Sequence, residues 1–470
     1  MESLTQKGRL RIRNSERKYI LLVGDLIVSG LSLFLALISW AQRDSLDYFW
    51  EFLGQRTPAW FYFLPFLWIL LIIGIYDARR ANRHSDVLKG VATAAGISIV
   101  LYLIVFFISE PNSLPRRGVA VFIGAVTVLT ILWRFFYIKV FTAPVFSRRV
   151  LVIGAGLAGT TLVSMASKIQ PVPFQLIGYI DDDPQKQGKD FFGCKVIGTG
   201  AQLLERIREN EITDLIFAIS GELNADLFRA ILAAEEGGVE VTSLPTTYEV
   251  LFGRVPVQLL QSDWILRSFL DQVHANGLYE GIKRLIDILS GLIGMLVLAV
   301  LFPLIALMIL LDNGRPIFYS QMRVGKNGNL YKIYKFRTMR SDENNGKGRM
   351  TSEGDQRITR IGKLLRRSHL DELPQMWNIL KGENSLVGPR AEQPELVEQF
   401  QKQIPFYRAR LLVRPGLTGW AQMNQRYAST VEDTVVKLEF DLYYLKHRDL
   451  LLDFNIILRT IGAVLGLRGM

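Results

Sequence analysis

Five long apolar runs restrict the architecture of this chain more than any other feature. Four lie near the N-terminus, at about 19–41, 59–76, 90–109 and 118–142, and a fifth runs from Ile288 to Leu311 without a charge. Each approaches the roughly 20 residues that a helix needs to cross a hydrocarbon core of roughly 30 Å. The first is longer than the core of a signal peptide and has no small-residue cleavage site. Three charges sit awkwardly: Asp25 within the first run, and Arg134 and Lys139 near the end of the fourth. The two bases are expected to snorkel toward the interface among Trp133, Phe135, Phe136 and Tyr137.

Loop charges set an orientation. Residues 1–18 hold six Lys/Arg and 77–89 hold four, whereas 42–58 and 110–117 hold two each. The positive-inside bias then places the N-terminus in the cytoplasm, and an even number of spans returns the chain there before residue 148. The fifth run breaks this arithmetic. Lys283 and Arg284 precede it, and Arg315, Arg323 and Lys326 follow it. A plain span would export a very basic domain. Pro303 removes a helix hydrogen bond inside the run, so a bent, re-entrant helix over 283–311 is expected, with the plain span as the alternative that hydropathy favours.

Between the membrane segments lies an α/β pattern. "RRVLVIGAGLAGTTL" is a strand, then Gly154, Gly156 and Gly159, then a helix-like run; "FQLIGYIDDDP" and "ITDLIFAIS" read as further buried strands. A small Rossmann-like, doubly wound domain over 148–265 is expected. Its glycines suit a nucleotide phosphate at a helix N-terminus, or simply a tight turn and close packing. Asp181, Asp182 and Asp183 imitate a metal-binding cluster but read better as a solvated loop.

Nearly half of the 470 residues are hydrophobic (49%), yet 21% are charged and the formal net charge is +11. That surplus favours anionic partners: nucleic acid, acidic lipid or phosphorylated substrates. Cys194 is the single cysteine, so no internal disulfide can form, and His84, His274, His369 and His447 have no zinc-like spacing.

The basic part, about 313–470, carries the chemistry. In "SHLDELPQMWNILKGENSLVGPR", Asp371 and Glu372 are adjacent and Pro374 follows. Neighbouring residues on a helix do not face each other, so the two acids do not share a proton. Pro374 suits the first turn of a helix "PQMWNILKG", and acids before a helix start stay ionised or simply cap it. Cations surround them: Lys335 and Arg337 in "KFRTM", Arg357, Arg360, Lys363, Arg366 and Arg367 in "DQRITRIGKLLRRS", Arg390 in "GPR" and Arg414 in "RPG". Guanidinium forks suit phosphate oxygens. Two acids among such cations suit a nucleotide diphosphate with Mg²⁺, and a carboxylate can also attack phosphorus. Near the end, "YYLKHRDLLLDFNIILRTIGAVLGL" suits either an interfacial helix or one packed on the domain core.

"RVGKNGNLYKIYKFRTM", "RITRIGKLLRRSHLDELPQMWNILKGENSLVGPR" and "VRPGLTGWAQMN" resemble the successive signatures of the bacterial sugar transferases, the monotopic polyprenyl-phosphate hexose-1-phosphate transferases. The likeness runs from about 280 to 470, and the N-terminal spans and α/β domain resemble the large form of that family. The resemblance implies a four-helix transmembrane bundle (1–147), the Rossmann-like domain (148–265) and a phosphoglycosyl transferase domain (266–470) with a re-entrant helix broken at Pro303. It implies transfer of a hexose-1-phosphate from a UDP-sugar to polyprenyl (undecaprenyl) phosphate, starting exopolysaccharide or O-antigen synthesis at the cytoplasmic face of a bacterial inner membrane. Asp371 would attack the β-phosphate. Glu372 would handle Mg²⁺ or deprotonate the lipid phosphate, and Lys335, Arg337, Arg357, Arg390 and Arg414 would hold substrate. Nucleic acid is then not the partner; a homodimer is compatible. His369 departs from the family's Ser before Leu-Asp-Glu. Two rivals lack support in the motifs. A dehydratase or epimerase needs a Tyr-x-x-x-Lys pair on a helix, and Tyr331 and Lys335 lie in "YKIYKF", which alternates as a strand. A membrane scaffold or nucleotide sensor leaves the motifs of 323–426 without a purpose.

Overall fold

The computed structural model describes residues 14–42, 53, 57–110, 115–141, 148–169, 174–219, 224–259, 277–340, 357–425 and 430–465. The chain forms two compact units, Met1–Phe252 and Gly253–Met470. The domain boundary expected at 265 lies outside the described residues.

In the first unit, α1 (Asn14–Ala41), α3 (His84–Ile108) and α4 (Arg116–Phe141) are long and apolar enough to cross a membrane. The run at 59–76 is not one long helix. A 3-10 turn (Ala59–Phe63), the eight-residue α2 (Leu64–Leu71) and a second 3-10 turn (Ile73–Ile75) divide it. Pro65 occupies the start of α2, where a missing N–H is tolerated but a new helix must begin, and Gly74 lies in the second turn.

The expectation for Arg134 is corrected. It does not snorkel; it is fully buried. Its Nη2 donates to Asp25 Oδ2 at 2.6 Å and its Nη1 to the Ile75 carbonyl at 3.3 Å, while the Tyr76 hydroxyl donates to the same Asp25 oxygen. The guanidinium also lies 4.6 Å from the Tyr76 ring centre. A charge held in an apolar bundle needs a partner of opposite sign, and Asp25 on α1 supplies it. Lys139, by contrast, is exposed.

The α/β part is a six-stranded sheet, β1 (Arg149–Ile153), β2 (Gln175–Ile180), β3 (Asp190–Phe191), β4 (Cys194–Gly198), β5 (Asp214–Phe217) and β6 (Glu240–Ser243), ordered β3-β4-β2-β1-β5-β6. All pairs are parallel except β3–β4, and the helices of this part are α5 (Leu157–Ala166), α6 (Leu203–Glu209), α7 (Ala225–Glu236) and α8 (Leu244–Phe252). The chain leaves β1 to one side for β2 and returns to the other for β5, so the glycine loop sits at the switch point. Gly154 has φ +105°, and a Cβ at Gly159 would lie 2.1 Å from the Gly154 carbonyl oxygen, whereas one at Gly156 would meet nothing within 4 Å. Two of the three glycines therefore have a packing reason. The three aspartates lie, as expected, in a loop after a strand, with Asp182 exposed, but two of them also brace it. Asp181 accepts from the N–H of Ala155 at 2.8 Å and of Asp183 at 3.0 Å, and Asp182 accepts from the N–H of Gly200 at 2.6 Å. They tie the strand ends to the loops beside them.

The second unit begins on α9 (Gly277–Asn313), a single 37-residue helix that runs through Pro303. Both of its ends are fastened to the same polar unit. Arg284 donates to the carbonyls of Ile379 and Leu380 at 2.7 and 2.6 Å, while Asp312 accepts from the Ile361 N–H at 3.0 Å and Asn313 donates to the Met339 carbonyl at 3.0 Å. Between them Ile305 and Ile309 pack with Phe336 and Leu365. The other face leaves Leu289, Leu292, Leu296, Val300, Leu304 and Leu311 more than half exposed.

Against α9 lie the antiparallel hairpin β7 (Phe318–Val324) and β8 (Leu330–Phe336), α10 (Arg360–Arg367), a 3-10 helix (Leu370–Gln375) and α11 (Met376–Lys381). A short parallel pair follows, β9 (Ser385–Val387) and β10 (Gly416–Thr418). The remaining helices are α12 (Pro394–Gln403), α13 (Trp420–Asn424), α14 (Val431–His447) and α15 (Leu450–Leu465). The late apolar stretch is thus two helices. Ile456 of α15 is fully buried in the core with Leu442 and Leu445, the packed alternative, while Leu451 and Ile461 stay exposed.

Candidate active site

Asp371 and Glu372 fall in the first turn of the 3-10 helix, and α11 starts only at Met376. Pro374 therefore lies inside the 3-10 segment and does not open α11, and Asp371 does not cap it. His369 turns the chain into this segment with φ 57°, a left-handed conformation that His enters more readily than most side chains. At three residues per turn the two carboxylates diverge by about 120°.

They reach unlike surroundings. Glu372 Oε1 accepts from Lys335 Nζ at 2.5 Å and from Arg390 Nη2 at 3.1 Å. Asp371, 8% exposed, makes no hydrogen bond or ion pair with a described residue, and neither of its oxygens is sealed from solvent. Burial and the Glu372 charge push the Asp371 carboxyl up to about 6, against the pull of Lys335, Arg366 and Arg390. Burial works the same way on Glu372, but Lys335 and Arg390 outweigh it and hold that carboxyl below the usual carboxylate range. Burial pushes the Lys335 ammonium down, with Glu372 opposing.

A cleft open to solvent lies at this cluster, lined by Arg323, Ile333, Lys335, Glu372, Gln375, Asn384, Arg390, Ala391, Gly416 and Leu417. The structure thus brings Lys335 and Arg390 to the acid pair. Arg366 also acts on Asp371 through its charge, but Arg337, Arg357 and Arg414 are not brought there. Arg337 donates to the carbonyls of Met339 and Arg315 at 3.2 and 2.6 Å. The Arg357 carbonyl accepts from the Arg340 N–H at 2.9 Å, and its side chain does not line the cleft. Arg414 faces a separate cleft.

Sequence reasoning missed Arg323, Gln375 and Asn384. Arg323 donates to the Ala391 carbonyl at 3.2 Å, and its Nε is enclosed without a partner. Asn384 accepts from the Tyr331 hydroxyl at 3.0 Å and donates to Gln375 at 3.5 Å. Their positions depend on pairing across the unit, which leaves no periodic mark. Also missed was the brace behind Arg390, where buried Arg410 donates to the Arg390 carbonyl at 2.9 Å and pairs with Asp441 at 2.8 Å.

No group of three or more His, Cys, Asp or Glu side chains able to cage a metal occurs among the described residues. Magnesium needs less, because it takes one or two carboxylates and keeps water and substrate phosphates. The open Asp371 carboxylate and its neighbour Glu372 fit such an ion only when phosphates complete the shell.

Residues 278–467, the segment that holds α9 and both clefts, match the family model for bacterial sugar transferases. The chain is 40% identical over 190 residues to the exopolysaccharide production protein PSS of Rhizobium leguminosarum bv. phaseoli, covering 39% of this chain and 95% of that protein. The chain belongs to the bacterial sugar transferase family. Residues 71–245 match a CoA-binding domain. Similarity to longer proteins of the family extends further. It is 38% identical over 247 residues to the UDP-N-acetylgalactosamine-undecaprenyl-phosphate N-acetylgalactosaminephosphotransferase of Aeromonas hydrophila, 53% of this chain and 56% of that one. It is 32% identical over 334 residues to the undecaprenyl-phosphate glucose phosphotransferase of Komagataeibacter xylinus, 67% of this chain and 58% of that one. The matched stretches thus span a little over half the length of these two relatives.

Proposed function

We propose that this sugar transferase moves a hexose-1-phosphate from a UDP-sugar to polyprenyl phosphate and releases UMP, as a first membrane step of polysaccharide synthesis. The observation that carries the reading is the division of labour in the acid pair: Glu372 is held by two cations, and Asp371 is left with an unbonded carboxylate beside them. In a first step an Asp371 oxygen attacks the β-phosphorus. The bond from that phosphorus to the bridging oxygen breaks, and UMP leaves with the electron pair. In the second step a polyprenyl phosphate oxygen attacks the same phosphorus, and the Asp371 carboxylate is regenerated. A covalent relay suits a water-soluble donor and a lipid-held acceptor, since the two need never be bound together. Lys335 and Arg390 neutralise the diphosphate charge, and Glu372 keeps these two cations in place. Mg²⁺, held by Asp371, Glu372 and the phosphates, would supply further charge neutralisation when bound.

The re-entrant reading of α9 belongs to the same proposal. From Arg284 to Asp312 a straight helix covers roughly 42 Å, more than the hydrocarbon core. Their partners, Leu380 and Ile361, lie in one packed unit. A helix fastened to one polar unit at both ends, with a leucine-rich face exposed between them, suits a segment that enters one leaflet and stays on one side. That side is the cytoplasmic face by the loop charges.

Quenching the protein with a UDP-sugar and no lipid acceptor, followed by mass spectrometry, tests the mechanism. A sugar-phosphate adduct on the Asp371 peptide is expected, lost in Asp371→Asn. UMP formed only when lipid is present, with no adduct, would mean direct transfer. A panel of UDP-sugars identifies the donor, for which relatives are named after both glucose and N-acetylgalactosamine.

A further inference from the structure

A second, shallow cleft open to solvent shares no lining residue with the one at Glu372. Four cations line it, Lys283, Lys326, Arg414 and Arg448, against a single carboxylate, Glu280. Two of the four are committed. Lys283 donates to Asp453 at 2.6 Å and to the Tyr444 hydroxyl at 3.1 Å, and Arg448 donates to Glu280 at 2.8 Å. The side chains of Lys326 and Arg414 make no hydrogen bond or ion pair with a described residue. Behind the cleft, the lining residue Tyr444 donates to Asp453 at 2.7 Å and Tyr279 donates to the same carboxylate at 2.9 Å. Two unmatched positive charges, carried on a hairpin turn and on the loop before β10, converge on a cleft whose remaining charges cancel. An anion relieves that excess.

The position of the cleft says where the anion comes from. Glu280 and Lys283 belong to the first turns of α9, and the exposed apolar face begins immediately after them at Leu285, Leu289 and Leu292, each more than half exposed. Basic side chains at the polar end of an apolar helix face lie at the depth of lipid phosphates.

We propose that this cleft binds the phosphate of an anionic phospholipid headgroup, apart from the transfer site, and so seats the unit on the membrane surface. The lipid source rests on the reading of α9 as lipid-facing; the cleft as a phosphate site does not.

The test uses the full chain purified in an uncharged detergent and titrated with dihexanoyl phosphatidylglycerol, dihexanoyl phosphatidylcholine, farnesyl phosphate and inorganic phosphate. Saturable binding of the phosphatidylglycerol is expected, with the Lys326→Gln/Arg414→Gln variant weaker by about tenfold or more, the scale of a lost charged hydrogen bond. The charge-matched Arg229→Gln/Lys402→Gln variant, on exposed pairs elsewhere, should bind as the unaltered chain does. Phosphatidylcholine should bind weakly to all. Equal binding by the Lys326/Arg414 variant and the unaltered chain would overturn the site. Inorganic phosphate binding as tightly as the lipid would overturn the lipid source while leaving a free-phosphate site. Preference for farnesyl phosphate would reassign the cleft to the acceptor. If the double variant unfolds, Arg414→Lys, which keeps the charge, should retain binding that Arg414→Gln loses.

Discussion

At the residue scale, the backbone decides which of two adjacent acids is available for chemistry. A 3-10 turn sets Glu372 against Lys335 and Arg390 and leaves Asp371 beside them without a hydrogen bond to a described residue. The consequence is measurable as stability. The folded chain raises the Asp371 carboxyl from 3.8 to about 6. The folded state therefore binds this proton more tightly than the unfolded chain does. Its contribution is favourable below about 3.8, and is lost as pH rises through about 6. Asp371→Asn carries no such charge. Its unfolding midpoint should exceed that of the unaltered chain at pH 7.5, with the difference shrinking toward pH 4. A difference independent of pH would mean the carboxyl is not destabilised by its site. Transfer should rise through about pH 6 in the unaltered chain, as Asp371 loses its proton.

At the element scale, close approach of α9 to α11 sets where the 3-10 helix sits. Glycines make this approach possible. A Cβ at Gly294 would lie 2.4 Å from Met376 Cγ, and one at Gly291 would lie 2.8 Å from Leu380 Cδ2. Met376 directly follows the segment that holds both acids. Gly281, in the same helix, has nothing within 4 Å of such an atom. One chemical change should therefore have two outcomes. Gly294→Ala should lower stability by about 1–3 kcal/mol through overpacking and reduce transfer. Gly281→Ala should be neutral or stabilising by about 0.5–1 kcal/mol, through helix propensity. Thermal unfolding of both variants in one detergent, with transfer assays alongside, makes the comparison. Equal effects at the two positions would show that helix contact does not position the acids.

At the scale of the whole molecule, α9 carries the topological question. The single native thiol, Cys194, is buried, so introduced cysteines can be read against a quiet background. Leu278→Cys and Arg315→Cys bracket the helix. With a membrane-impermeant maleimide added to intact cells, neither should label; in opened cells both should. Labelling of the Arg315 position from outside would mean that α9 spans. Pro303→Leu, which restores a helix hydrogen-bond donor, should shift a fraction of molecules toward that spanning state.

The sequence by itself determined the elements and the chemistry-bearing types. Apolar length marked α1, α3, α4 and α9, alternation marked β8, and the adjacent acids Asp371 and Glu372 among cation-rich motifs marked a candidate site. These signals are local or periodic, and a chain displays them without folding. Only the tertiary structure decided which partners those residues take. Arg134 pairs with Asp25 from another helix, Asp181 closes the glycine loop of a neighbouring strand, and Arg414 turns to a different cleft from Arg390. Each outcome depends on contacts between residues distant in sequence, and the pairing of Arg134 with Asp25 is chosen because a buried charge without a counter-charge costs more than almost any rearrangement that supplies one. No spacing along the chain records that choice.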